Sequence, residues 1–556
     1  MTGTGRIAQG LKTFMARFAH ARRGNVAMIF ALSLPVLVMM TLGGVDLHRA
    51  STVRVNLQDA LDAAALAAAR SPYTTNAEIR TVGLNALKAN LKAYPQITLR
   101  EDQTTFVLNA EGVVVADAKV DVNAIVANVL LPPYGKFMDD KLPVGAHSEV
   151  FRSNKMVEIA LVLDNTGSMS GTKLSNTKTA ARDLIDRLAA ADARSVEPDA
   201  VKIALVPFSM TVRVMSGLST SDGVSNSKRP SWLSNTQNHT GNELVSGQKR
   251  FNLFNSLSTG WGGCIESRPY PNDVRDTAPS SSDEATMFVP YFAADEPDLD
   301  DYPNDDDWED YYPSNRNGPY ERNNYVNDGI NGSNANNGGF SNSTQRADMW
   351  RTRRTRGSKY NSATSGLDTD FGPNQGCDLE PVMRLTDDFN ALKSAVSRMK
   401  ATGNTNIPMG LMWGWHALSP NAPFSDGQPY GTERLQKIII LMTDGENVNS
   451  TTDDPDDSTY SGVGFIWQNR LGVGAGSTGT ERRNAMDDRL EELCENLAGR
   501  DIVVYTVGVQ VDERTQELLS ACASAPANYF NVTSASAIGA AFDRIAGAIE
   551  NLRISK

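Results

Sequence analysis

Apolar residues fall along this chain in two patterns, one long unbroken run near the start and several short runs much later. The long run, Val26 to Val45 (VAMIFALSLPVLVMMTLGGV), holds no charged residue over 20 positions. As a helix it would be about 30 Å long, the thickness of a bilayer core, so it predicts a transmembrane helix over 26–45. Ser51 to Arg70 follows, rich in Ala and Leu, with Val53, Leu57, Leu61, Ala64 and Ala68 at helical spacing. This stretch is predicted to continue the membrane helix outward and to pack one apolar face on what comes next. Residues 97–152 favour strands, with partial alternation after Val113. Residues 46–154 therefore read as a first exported unit, a long helix laid on a small sheet.

From Met156 the short runs begin: 157–163 (VEIALVL), 202–208 (KIALVPF), 437–443 (KIIILMT) and 502–509 (IVVYTVGV). Continuous Val/Ile/Leu runs suit parallel strands buried on both faces. Helical stretches at 175–191, 388–400, 407–418, 482–498, 513–522 and 535–552 lie between or after them. Strands alternating with helices give an α/β fold, a doubly wound and mostly parallel sheet, split between 155–210 and 387–556. The intervening residues 211–386 are rich in Asn, Asp, Gly, Ser and Tyr and show little periodicity. They predict a long insertion, loop-rich and partly disordered, dispensable for the α/β fold. Its acidic stretch, Asp295 to Asp310, lacks an EF-hand pattern and reads as solvated surface, partly neutralised by Arg351, Arg353, Arg354 and Arg356.

Charge sets the orientation. The net charge of −12 argues against a general nucleic-acid binder. Residues 1–25 nevertheless carry Arg6, Lys12, Arg17, Arg22 and Arg23, and no acid precedes Asp46. A basic flank stays in the cytoplasm, so residues 1–25 form a cytoplasmic tail and everything from Asp46 is exported. A cleaved signal peptide is the competing reading, but the apolar stretch is long for one and no small-x-small site follows Val45. Four cysteines, without CxxC or zinc-finger spacing, allow three pairings. Cys264 with Cys377 and Cys494 with Cys522 is the favoured set, and free buried thiols are the alternative. The five histidines make no metal or triad pattern, and His416 reads as a packed core residue.

The sharpest chemical signal is Leu161-Val-Leu-Asp-Asn-Thr-Gly-Ser-Met-Ser. Asp164 falls at the carboxyl end of a strand, where open α/β sheets hold their ligands. Thr166 and Ser168 follow at two-residue steps. Thr405, after a glycine at a helix opening, and Asp444, at the end of another strand, bring further oxygens. Carboxylates and hydroxyls are hard donors and select Mg²⁺, Mn²⁺ or Ca²⁺. A P-loop fails on spacing, since three residues separate Gly167 from Gly171 and Leu174 follows Lys173. An aspartyl-nucleophile phosphatase fails because Thr166 stands where its second Asp belongs. Simple capping of the next helix would explain one of these residues, not all five.

Asp164-x-Thr166-x-Ser168 with Thr405 and Asp444 resembles the metal-ion-dependent adhesion site of von Willebrand factor type A domains, whose usual loop is Asp-x-Ser-x-Ser. The resemblance implies a divalent ion that captures an acidic residue of a protein partner. Arg22-Arg-Gly-Asn-Val-Ala-Met-Ile-Phe-Ala-Leu and Asn56-Leu-Gln-Asp-Ala-Leu-Asp-Ala-Ala-Ala-Leu-Ala are similar to TadE/TadG-like pilus-assembly proteins. Trp261-Gly-Gly-Cys-Ile-Glu-Ser-Arg, Phe288-Val-Pro-Tyr-Phe-Ala and Gly410-Leu-Met-Trp-Gly-Trp-His are similar to the TadG-type members that carry an A domain. Pseudopilin-like relatives place a Glu where Ile29 stands, so this chain is expected to keep its membrane helix. The resemblance implies a non-catalytic, single-pass inner-membrane component of a bacterial Flp (tight-adherence) pilus system, its C-terminal part periplasmic or extracellular. The alternative is an exported metal-dependent hydrolase or assembly chaperone using the same ion, for which Glu446 is the nearest candidate base.

Overall fold

The computed structural model describes residues 24–297, 323–326 and 343–554, apart from 72, 74, 96, 110–111, 124–140, 152–154, 194, 196–198, 225–227, 237–247 and 453–455. The basic tail before residue 24 and the acidic stretch from 298 onward lie outside the described residues. The chain divides into two compact units, with the boundary in sequence after residue 153.

In the first unit the two predicted helices are one. Helix α1 runs unbroken from Gly24–Ala69, 46 residues, about 69 Å at the helical rise. Its first half presents bare apolar side chains, with Ile29, Leu32 and Met40 66%, 76% and 73% exposed. By length and composition it can cross a membrane. Its second half buries Val53, Leu57, Leu61, Ala64 and Ala68. These pack on a second helix that the periodicity did not announce, α2 (Asn76–Leu91), and on a sheet of four antiparallel strands. The strands are β1 (Ile97–Leu99), β2 (Thr105–Leu108), β3 (Val113–Asn123) and β4 (Lys141–Phe151). Strand β3 pairs with the other three, and Val114, Ala116, Ala118, Val120 and Val122 face the helices.

The second unit holds, in chain order, β5 (Met156–Asp164), α3 (Thr172–Asp192), β6 (Val201–Phe208), β7 (Val212–Arg213), β8 (Cys264–Ile265), β9 (Met383–Thr386), α4 (Phe389–Arg398), α5 (Ile407–Leu418), β10 (Leu435–Thr443), α6 (Gly479–Ala498), β11 (Ile502–Val509), α7 (Glu513–Cys522), β12 (Tyr529–Val532) and α8 (Ile538–Ile554). Sheet order is β12-β11-β10-β5-β6, all parallel, extended by antiparallel β7, β8 and β9 beyond or beside β6. The fold is the doubly wound, mostly parallel one expected. Along β5, Val157, Ile159, Leu161 and Leu163 face α3, α4 and α8, while Ala160 and Val162 face α5. Burial on both faces is why these strands read as unbroken apolar runs.

The insertion is the main correction. Its backbone is mostly irregular, with α-helices only at Thr220–Val224, Arg250–Ser256 and Ser343–Arg354 among the described residues, but much of it is packed. Phe251, Phe254, Trp261, Phe288, Tyr291 and Phe292 are buried and join one core with Met412, Trp413 and Trp415 of α5. Helix α5 is buried at every position from Met409 to Leu418, because the sheet covers one side and this aromatic layer the other. Each such side chain contributes about 1.5–3 kcal/mol by burial, so removing the insertion would uncover one side of α5. Nor does the acidic stretch begin as solvated surface. Asp295 is buried against Lys359 (3.0 Å) and Glu296 against Arg354, which also meets Asp456. The sequence showed both charge runs but not that their ends pair in the interior.

The structure links Cys264 to Cys377 and Cys494 to Cys522. The first ties the insertion to itself across 113 positions, and the second joins α6 to the end of α7.

Candidate functional site

The site forms where the loops that leave the carboxyl ends of β5, β6 and β10 meet the loop of residues 399–406 that joins α4 to α5. Backbone hydrogen bonds stitch these loops together. Gly167 N donates to Gly403 O (2.9 Å), Thr402 N to Asn165 O (2.7 Å), Asn406 N to Ser209 O (3.1 Å) and Val448 N to Thr405 O (2.9 Å). Gly403, at φ +70°, makes the reversal that no side chain takes cheaply. Asn406 then caps α5 by accepting from Met409 N (3.1 Å). The helix thus opens at Ile407, two residues after Thr405, and not at Thr405 itself.

Asp164 is fully buried. Its Oδ1 accepts from Thr166 N (2.8 Å) and its Oδ2 from Thr443 Oγ1 (2.6 Å). Thr166 Oγ1 lies 2.9 Å from Ser168 Oγ, which donates to Asp444 Oδ1 (2.6 Å). Asp444 Oδ2 meets Lys173 Nζ at 2.6 Å. Thr405 is buried beside them, and a Cβ placed on Gly445 would stand 3.8 Å from both Ser168 Oγ and Thr405 Oγ1. All five residues singled out from the sequence therefore converge. Burial pushes the Asp164 carboxyl up to about 6, against the pull of its bonds from Thr443 and Thr166 and with the help of the Asp444 charge.

Sequence reasoning missed Thr443, although its place just before Asp444 was a signal. It also met Lys173 only as a lysine with the wrong spacing for a P-loop. Glu446 turns to Arg483 and is half-exposed. His416 is a core residue, as expected, but within a buried polar cluster. Its Nδ1 is 3.6 Å from Asp276 Oδ1, and burial pushes it down to about 4. Two carboxylates and three hydroxyls, with no nitrogen or sulfur ligand, form a donor set that suits a hard divalent cation.

Residues 24–71 match the family model of putative Flp pilus-assembly TadE/G-like proteins, and residues 158–252 match that of the von Willebrand factor type A domain. The chain carries a TadE/G-like segment and a von Willebrand factor type A domain. No curated protein matches the sequence. Among solved structures, the type V pilus tip protein Mfa5 from Porphyromonas gingivalis is similar through its vWF domain at 10% identity, covering 72% of this chain and 97% of that one, TM-score 0.31. The pilus adhesin SpaC from Lactobacillus rhamnosus GG is similar at 12% identity, covering 82% of this chain, TM-score 0.30. This chain spans about a third of SpaC, with 35% covered. Proximal thread matrix protein 1 from the mussel byssus, solved with a zinc-occupied MIDAS motif, is similar at 11% identity, covering 71% and 46% of the two chains, TM-score 0.26.

Proposed function

We propose that this chain is a non-catalytic, membrane-anchored component of a Flp/Tad pilus system that binds a protein partner through a divalent cation. The observation that carries the reading is the convergence of Asp164, Thr166, Ser168, Thr405 and Asp444 at the carboxyl edge of a type A domain. Asp164 and Asp444 would supply carboxylates and the other three hydroxyls, and the ion would be Mg²⁺, or Mn²⁺ or Ca²⁺ in its place. Bound there, the ion supplies a positive charge to which an acidic side chain of a pilus or surface partner is drawn. No catalytic residue is assigned, since Glu446, the candidate base, is engaged by Arg483.

Helix α1 would hold the protein in the bacterial inner membrane in a single pass, with the basic N-terminus in the cytoplasm and the type A domain in the periplasm or beyond. Two disulfides suit that oxidising side. The test is to recover the full chain from membranes in Mg²⁺ and in EDTA. A pilus-system protein that accompanies it in Mg²⁺, leaves in EDTA and is absent with Asp164→Ala supports the reading. The same companions in all three preparations would sink it.

A further inference from the structure

Lys173 is a charged side chain at the site that the reading above leaves without a role. It stands in the first turn of α3, two residues past Gly171, whose φ of +77° turns the chain from the Asp164 loop into the helix. Its Nζ lies 2.6 Å from Asp444 Oδ2 while Ser168 holds Oδ1 at 2.6 Å, so both oxygens of that carboxylate are taken. One of them is taken by a cation the chain itself supplies. The Asp444 side chain has no exposure, whereas that of Lys173 is 23% exposed. The carboxylate is therefore fixed in the interior, and the ammonium reaches it from the surface.

Lysine suits an interchangeable contact. It is a point charge on a flexible stem with no fixed fork geometry, so it can leave Asp444 without moving the helix that bears it. A buried carboxylate, by contrast, is strongly disfavoured without a cation or hydrogen-bond donors. Either the ammonium or a divalent ion can meet that need at Oδ2, and the two repel each other at this range.

We propose that Lys173 is an exchangeable tethered cation on Asp444, released toward solvent when a divalent ion binds, and that it thereby sets both ion affinity and the charge of the binding face. The proposal rests on the cation-site reading. Asp164, Asp444 and Lys173 together leave one negative charge. A divalent ion turns that into one positive charge, which draws an acidic partner, whereas the same site without the lysine would be neutral. The released ammonium then stands at the rim as a second group for the partner's carboxylate.

The test uses the full chain in detergent micelles, titrated with Mn²⁺ and read by electron paramagnetic resonance of the free ion. Lys173→Met keeps the stem and removes the charge, and should bind Mn²⁺ roughly tenfold tighter or more than wild type. Lys173→Arg, which keeps the charge in a fork that grips a carboxylate through both oxygens, should bind more weakly than wild type. In parallel, amine-selective acetylation of Lys173, read by mass spectrometry, should rise severalfold when Mn²⁺ is added to wild type. It should not change in Asp164→Ala. Equal affinities for wild type and Lys173→Met, with acetylation indifferent to Mn²⁺, would overturn the exchange while leaving the cation site standing. No Mn²⁺ binding by either protein would overturn both.

Discussion

Gly414 lies at the middle of α5 where the helix crosses β5, and a Cβ there would stand 2.4 Å from Val162 Cγ2. Ordinary carbon contacts are about 3.5–4.0 Å, so Gly414→Ala creates an overlap of more than an ångström. Val162 is β-branched and sits in a central strand paired on both sides, which leaves it little rotamer freedom. The helix must lift or the strand must bend. Overpacking of this kind costs about 1–3 kcal/mol, and so deep an overlap belongs at the upper end. Replacing glycine by alanine inside a helix returns about 1 kcal/mol. The net expectation is a loss of about 2 kcal/mol. Val162→Ala alone removes two methyl groups and should cost about 2 kcal/mol through lost burial and the gap left behind. Together the two changes relieve each other, so the double variant should be more stable than the sum of the singles by about 2 kcal/mol. Urea unfolding of residues 154–556, for wild type, both singles and the double, measures that coupling. Because α5 opens two residues after Thr405, Gly414→Ala should also weaken Mn²⁺ binding, and Val162→Ala should restore it. Additive effects within about 0.5 kcal/mol, or a stabilising Gly414→Ala, would refute the claim that Gly414 seats α5 on the sheet.

Two further perturbations follow from the same structure. Replacing Cys264 and Cys377 together by serine frees a longer loop than replacing Cys494 and Cys522, 113 against 28 positions. Chain entropy gives losses of about 5 and about 4 kcal/mol, so thermal unfolding should show the first pair costing more. His416 is held neutral, its pKa pushed down to about 4 by burial, against about 6.5 in the unfolded chain. As pH falls the unfolded chain takes the proton first, so the stability due to this residue is complete above pH 6.5 and drains away toward pH 4. His416→Gln should flatten that part of the pH–stability curve, and a His416 imidazole NMR signal, identified by its loss in that variant, titrating near 6.5 in the folded protein would contradict the assignment.

The parts of this protein that could be read from its sequence are those with a period. Strands β5, β6, β10 and β11 announced themselves because both their faces are buried, and α5 and α7 span the residues expected of them. Strand β12, with four residues at the sheet edge, was too short to carry a pattern, and β7, β8 and β9 take their places from pairing partners distant in the chain. Helix α2 lay hidden because Gly83 interrupts its apolar face. That glycine is there for the Phe106 ring, 2.4 Å from where a Cβ would be. The insertion misled for a different reason. Trp261, Phe288 and Phe292 pack from irregular backbone, which gives aromatic residues no spacing to recognise. At the site, motif spacing found the five oxygen donors, whereas the parts played by Thr443 and Lys173 are fixed by their distances to Asp164 and Asp444.

The most direct test of the central claim is pilus-dependent surface attachment by strains expressing Asp164→Ala or Asp444→Ala at normal protein levels. Cation-mediated capture of a partner predicts that attachment falls in both strains to the level of wild-type cells treated with EDTA, with the protein still folded and membrane-bound. Wild-type attachment by both strains would contradict it and place the pilus role on other surfaces of the molecule.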